Sequence, residues 1–242
     1  MKHGTLWLAA CLPLALSACG SEGTGDTTQA AAPSAASEQA AEQAAAAFDA
    51  AIAAENWQLA KAQGDVLLAQ YPDSAAARRI AAPHAEARAK AEAAREDARM
   101  AALWSYNSEP VKGGSQLSAA IYASEDLDTD GSGAANPVRL IFRDHPDWGR
   151  SAYLTLQAGD FDCYGGCRVQ VAVDGGQAKP MAASRPDTDE AIAMFIEDER
   201  ALWRLARDAK TLSIQFPTRA AGDKTASFEV GGLDGGRLPG WD

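Results

Sequence analysis

Trp104-Ser105-Tyr106 is the point at which this chain changes its pattern. Before it, apolar residues recur at helical spacing in an alanine-rich background; after it, short apolar runs are separated by turn residues. The runs Leu117–Ala123, Val138–Phe142, Ala152–Leu156, Arg168–Val173, Leu212–Phe216 and Ala226–Val230 are rich in Val, Ile, Leu, Tyr and Phe, which reads as strands. Between the last two and the rest, Asp198–Ala209 places Leu202, Trp203, Leu205 and Ala206 at helical spacing, a helix laying its apolar stripe on a sheet face. The expected class is α+β: an N-terminal helical hairpin segment followed by a mostly antiparallel β-rich domain with one covering helix.

Upstream of Trp104 the helical reading has markers of its own. Phe48 and Ile52 form an i, i+4 pair, and Ala60, Leu67, Leu68 and Tyr71 follow Trp57 with a helical period that Gly64 weakens. Glu55-Asn56 offers a helix start, and Tyr71-Pro72-Asp73-Ser74 a stop followed by a new N-cap. A third helix should run from Ser74 towards Trp104, with Pro83 kinking or splitting it. Glu86/Lys90, Glu92/Arg95 and Glu96/Arg99 suit a solvated outer face. Short joints imply an antiparallel array. The stretch Asn56-Trp57-x2-Ala60, Leu67-Leu68-x2-Tyr71-Pro72-Asp73-Ser74-x2-Ala77 resembles tetratricopeptide-type hairpins over about one repeat.

Further upstream, residues 20–37 are small and polar, the composition of a flexible tether. Before them Lys2 precedes the apolar run Leu6–Ala18, the order of a secretory signal, and the run falls short of the roughly 20 residues of a membrane span. Leu16-Ser17-Ala18-Cys19 resembles the lipobox of bacterial lipoproteins, which implies a diacylglycerol on the Cys19 thiol, removal of the signal before it and acylation of the new amino group. Leu8-Ala9-Ala10-Cys11 also fits, but a cut there would leave the unpacked apolar stretch Leu12–Leu16. Gly20 stands where an aspartate would mark inner-membrane retention, so the resemblance implies a lipid anchor at the periplasmic face of the outer membrane. The expected organisation is 1–18 signal peptide, 19–37 tether, 38–103 helical hairpins, 104–235 β-rich domain and 236–242 tail.

The formal charge of −11 opposes phosphate backbones and excludes nucleic acid as the natural partner. With Cys11 removed and Cys19 lipidated, Cys163 and Cys167 remain, and in an exported chain they read as a disulfide. Phe161-Asp162-Cys163-Tyr164-Gly165-Gly166-Cys167-Arg168-Val169 reads as strand, glycine turn, strand. The rival reading is a soft-metal carrier, whose third ligand would have to come from His84 or His145. Asp126-Leu127-Asp128-Thr129-Asp130-Gly131 fits the first half of a calcium loop, with Asp126, Asp128 and Asp130 as ligands, but Pro137 stands where a bidentate glutamate should close it. His145 sits beside Asp144 and near Trp148, with no marked nucleophile to complete a catalytic set.

Trp104-x-Tyr106, Val138-Arg139-Leu140-x2-Arg143-x-His145-Pro146-x-Trp148-Gly149, Gly159-x-Phe161-x-Cys163, Phe195-Ile196-Glu197-Asp198 and Phe228-x-Val230-Gly231-Gly232 are similar to a β-rich domain of uncharacterised exported proteins and lipoproteins of Gram-negative bacteria. The resemblance implies a cysteine-pinned sheet with a helix near its end, and no catalytic residues. The expectation is a non-enzymatic binding protein without a cofactor, its partners the membrane, through the anchor, and a protein. The alternatives are an inhibitor or immunity protein against a secreted hydrolase, and a metal carrier.

Overall fold

The computed structural model describes residues 34–186 and 192–241. The signal, Cys19 and most of the tether lie outside the described residues. Three helices come first: α1 (Ala35–Ala53), α2 (Trp57–Gln70) and α3 (Ala75–Ala102). Each starts at a capping side chain, since Ser34, Asn56 and Ser74 accept from the N–H groups of Ser37, Leu59 and Ala77. The α1 cap brings the helix start forward to residue 35, inside the stretch expected to be tether.

Pro83 does not split α3, which runs unbroken through it. The missing N–H costs one intrahelical bond, but Ile80, His84 and Ala87 are buried on either side of it, so packing carries the helix across. Gly64 also finds its reason here. A Cβ at that position would land inside the His84 imidazole, so the glycine in α2 is the notch that admits a ring from α3. His84 Nε2 then meets Asp65 Oδ1 at 2.8 Å. Phe48, Leu67 and Ile80 are the large members of a bundle core otherwise built of alanine. The i, i+4 pair Glu86/Lys90 and the pair Glu96/Arg99 form outer ion pairs, as the spacing implied.

Nine strands follow: β1 (Trp104–Val111), β2 (Gly114–Tyr122), β3 (Val138–His145), β4 (Gly149–Leu156), β5 (Cys167–Val173), β6 (Lys179–Ser184), β7 (Ala193–Ile196), β8 (Leu212–Thr218) and β9 (Gly222–Phe228). Helix α4 (Glu199–Asp208), capped by Asp198, lies between β7 and β8 in sequence. The strands form one antiparallel sheet in the order β1-β2-β3-β4-β7-β6-β5-β8-β9. Its two ends return to each other: Ser124 N–H donates to Ser227 O at 2.7 Å, and Trp104 Nε1 to Val230 O at 3.3 Å. The sheet thus curls around one interior in which Phe142, Trp203 and Trp241 meet edge to face or tilted, with ring centroids 5.0–5.5 Å apart.

Three expectations change. β1, β6 and β7 are strands that composition did not announce. Phe161 and Cys167 are not two arms of a hairpin: Phe161 forms only a bridge to Thr218, while β5 is already paired with β6 and β8. Of the stretch 236–242 expected as a tail, the described residues 236–241 pack into the domain, because Leu238 and Trp241 are core residues. The helices join the sheet where α3 ends. A Cβ on Gly232 would strike the backbone of Met100 and Ala101, and Arg99 bridges Glu96 on its own helix to Glu229 after β9.

Candidate functional site

Cys163 and Cys167 form a disulfide with Cα atoms 5.0 Å apart. With each sulfur bonded to the other, neither offers a thiolate to a metal, and His84 and His145 lie in other parts of the fold. The turn between the cysteines is further held by Arg185. Its side chain is buried, its Nη1 donates to Asp160 Oδ1 at 2.8 Å and to Phe161 O at 3.0 Å, and its guanidinium covers the Tyr164 ring at 4.0 Å. Arg219 binds the other oxygen of Asp160 at 2.9 Å. The arrangement is a structural clamp around a shared carboxylate.

The acidic loop does not converge on a cation. Asp128 accepts from Gly131 N–H at 2.7 Å and from Gly133 N–H at 3.1 Å, and Asp130 accepts from Ser132 N–H at 3.0 Å. Hydrogen bonds from Ser132, through its hydroxyl and its N–H, hold the Asp130 carboxyl below the usual carboxylate range. Thr129, buried, turns inward and donates to Ala158 O at 2.6 Å. Among the described residues no three His, Cys, Asp or Glu side chains could jointly hold a metal ion, so the carboxylates of Asp126, Asp128 and Asp130 are not drawn together as a calcium loop requires. The lone pairs of Asp128 and Asp130 cap their own turn instead.

His145 ends β3 with its ring stacked on Trp148 at 4.0 Å, and the Asp147 N–H donates to its Nδ1 at 3.1 Å. No serine or cysteine nucleophile is bonded to it among the described residues, so no nucleophile–base pair is assembled there.

Sequence reasoning missed an open groove beside α4. It has a volume of about 800 Å³, with an apolar lining that includes Val171, Val173, Met181, Ala201 and Leu205. Its charged members, Lys179, Glu197 and Asp198, are exposed on the rim, and Arg204 and Asp208 extend it along the helix. Leu205, expected in the buried stripe, faces this groove. Leu202, Trp203 and Ala206 centre the buried arc of α4, and Leu205 falls at its edge. The lining comes from β5, β6 and α4, which no local pattern links. Among the described residues no helix is long and apolar enough to cross a membrane.

No protein-family model matches this chain, and no curated protein matches it. Among solved structures, the crystal structure of invasion associated protein B from Bartonella henselae is similar over 54% of this chain and 84% of that chain. Its identity is 17% and its TM-score 0.33.

Proposed function

We propose that this is an exported lipoprotein, held by a lipid on Cys19 at the periplasmic face of the outer membrane, that binds a protein partner and catalyses no reaction. The observation that carries the binding role is the groove between α4 and β5–β6. Its floor is apolar and its polar groups stand on the rim, whereas a small-ligand site needs polar groups converging inside. Such a floor, with Met181 as its adaptable member, suits an amphipathic segment of another protein, and a rim of both signs sets its register. The disulfide turn agrees with an oxidising compartment.

The test places a photoreactive residue at Leu205 of the full-length chain in Gram-negative host cells. The expected result is one discrete crosslinked protein, lost when Met181→Asp puts a charge on the groove floor and absent when the probe sits at Glu109 on β1. Equal labelling from both positions, or none from Leu205, would overturn the reading.

A further inference from the structure

The outer face of the sheet carries a second feature, separate from the groove. Arg139, Ile141 and Arg143 alternate with the core residues Leu140 and Phe142, so they leave β3 on the side away from the interior. Four residues along a strand set the two arginines about 13 Å apart at Cα. No ion pair holds either guanidinium among the described residues, although the chain carries a net charge of −11. Aromatic rings hold them instead. Arg139 lies over Tyr122 at 4.9 Å, and Arg143 lies near both Trp148, at 5.5 Å, and Tyr153, at 5.4 Å. The Nε atoms of both arginines are buried without an acceptor. So is the hydroxyl of Ser151, which stands directly across from Arg143 in the β3–β4 register. Buried donors without partners are few in folded proteins, and three together set this face apart; the Nη groups of the two arginines, which are not buried, are what an oxyanion from solution can reach.

Between the two forks the surface is apolar. Tyr153, with the buried Ile141 opposite it, and Phe195 beside it are the half-exposed apolar groups there, their ring centroids 5.2 Å apart. A ligand fitting this face carries two acid groups joined by a body with flat, weakly polar faces. The forked donors suit carboxylates, and rings that stiffen them lower the ordering cost of binding. The charge of the whole chain opposes a densely charged polymer, so the acid groups must be sparse. A peptide strand has nowhere to add, because β3 is paired along both sides by β2 and β4. We propose that this face binds an acidic glycan in which a neutral sugar separates two carboxylate-bearing ones, each carboxylate taken by one arginine and the sugar faces lying on Tyr153 and Phe195.

The test titrates the detergent-solubilised full chain with a hyaluronan hexasaccharide, in which glucuronate and neutral N-acetylglucosamine alternate. Calorimetry and tryptophan fluorescence follow the titration, and Trp148→Phe assigns the optical signal. Saturable binding is expected, at least ten-fold weaker for the Arg139→Gln/Arg143→Gln double variant at unchanged melting temperature. The neutral chitohexaose should not bind. Arg143→Lys, which keeps the charge and loses the fork, is expected to weaken binding too, and it decides the matter if the double variant does not fold. Absence of saturable binding, equal binding by the arginine variants, or equal binding of chitohexaose would overturn the proposal. Tighter binding of a polyglutamate peptide or of inorganic phosphate would also overturn it, by assigning the face to another anion. Met181→Asp should leave this binding unchanged, so failure here and failure of the groove reading are separable.

Discussion

The two halves of the molecule are built from different materials. The helical bundle encloses alanines, with Phe48, Leu67 and Ile80 as its large core residues, while the β domain buries Trp104, Phe142, Phe161, Trp203, Phe216, Phe228 and Trp241 around one interior. Apolar area removed from water is the main source of stability, so most of it resides in the sheet. The bundle compensates with specificity. Small residues let its helices approach closely, the Gly64 notch fixes His84, and Arg79 of α3 reaches Glu42 and Asp49 of α1 at 3.0 and 2.9 Å. Those exposed ion pairs add little energy and mainly select one arrangement. The contrast leaves the sheet as the firmer part and the helical bundle as the lighter one.

The contrast can be broken most sharply at Trp203. Trp203→Ala removes the ring that meets both Phe142 and Trp241, and the expected loss is about 3–5 kcal/mol in denaturant unfolding of the β domain. A loss near that seen for a surface residue would mean that the interior is not where stability lies. Gly64→Ala is the next largest test. In an exposed helix this change gains up to about 1 kcal/mol. Here the added methyl meets the His84 ring, so a loss of about 1–3 kcal/mol is expected, confined to the helical transition as followed by far-ultraviolet circular dichroism.

The smallest effect concerns the junction. Hydrogen bonds from Arg99 hold the carboxyls of Glu229 and Glu96 below the usual glutamate range. Their folded values lie below their unfolded ones, so the stabilisation is present above the unfolded value near pH ~4.3 and is lost as pH falls through the folded values. Arg99→Gln should therefore lower the melting temperature slightly at pH 7, and the difference from wild type should shrink steadily as the pH falls below the unfolded glutamate value. A difference that persists in acid would assign the effect of Arg99 to packing.

How much of this was legible depended on whether a feature is local. Val138-x-Leu140-x-Phe142 shows its alternation, and Asp198 with Leu202, Trp203 and Ala206 shows a capped amphipathic helix, so β3 and α4 could be read directly. β1 turns Ser105, Asn107 and Glu109 outward and ends near Pro110, so its composition reads as a loop until β2 pairs with it. β7 spans four residues and β6 contains Pro180, both too weak for a strand signal. Trp241 follows Pro239-Gly240, a loop signal, and only tertiary packing places it against Phe142. The disulfide could be inferred from spacing and compartment, whereas the acidic loop could not be judged until its turn used the lone pairs of Asp128 and Asp130. The groove draws on three separated segments, and the unpaired state of Arg139 and Arg143 is a property of the whole charge distribution. Neither is written in any one stretch.

The proposed partner at the groove and the proposed membrane attachment both rest on export and anchoring through Cys19. Host cells expressing the full-length chain and fed a labelled fatty acid test this directly. The expected result is label on the wild-type chain in the outer-membrane fraction, with none on Cys19→Ala, which should leave that fraction. An unlabelled wild-type chain, or a Cys19→Ala chain labelled and located as wild type, would contradict the account.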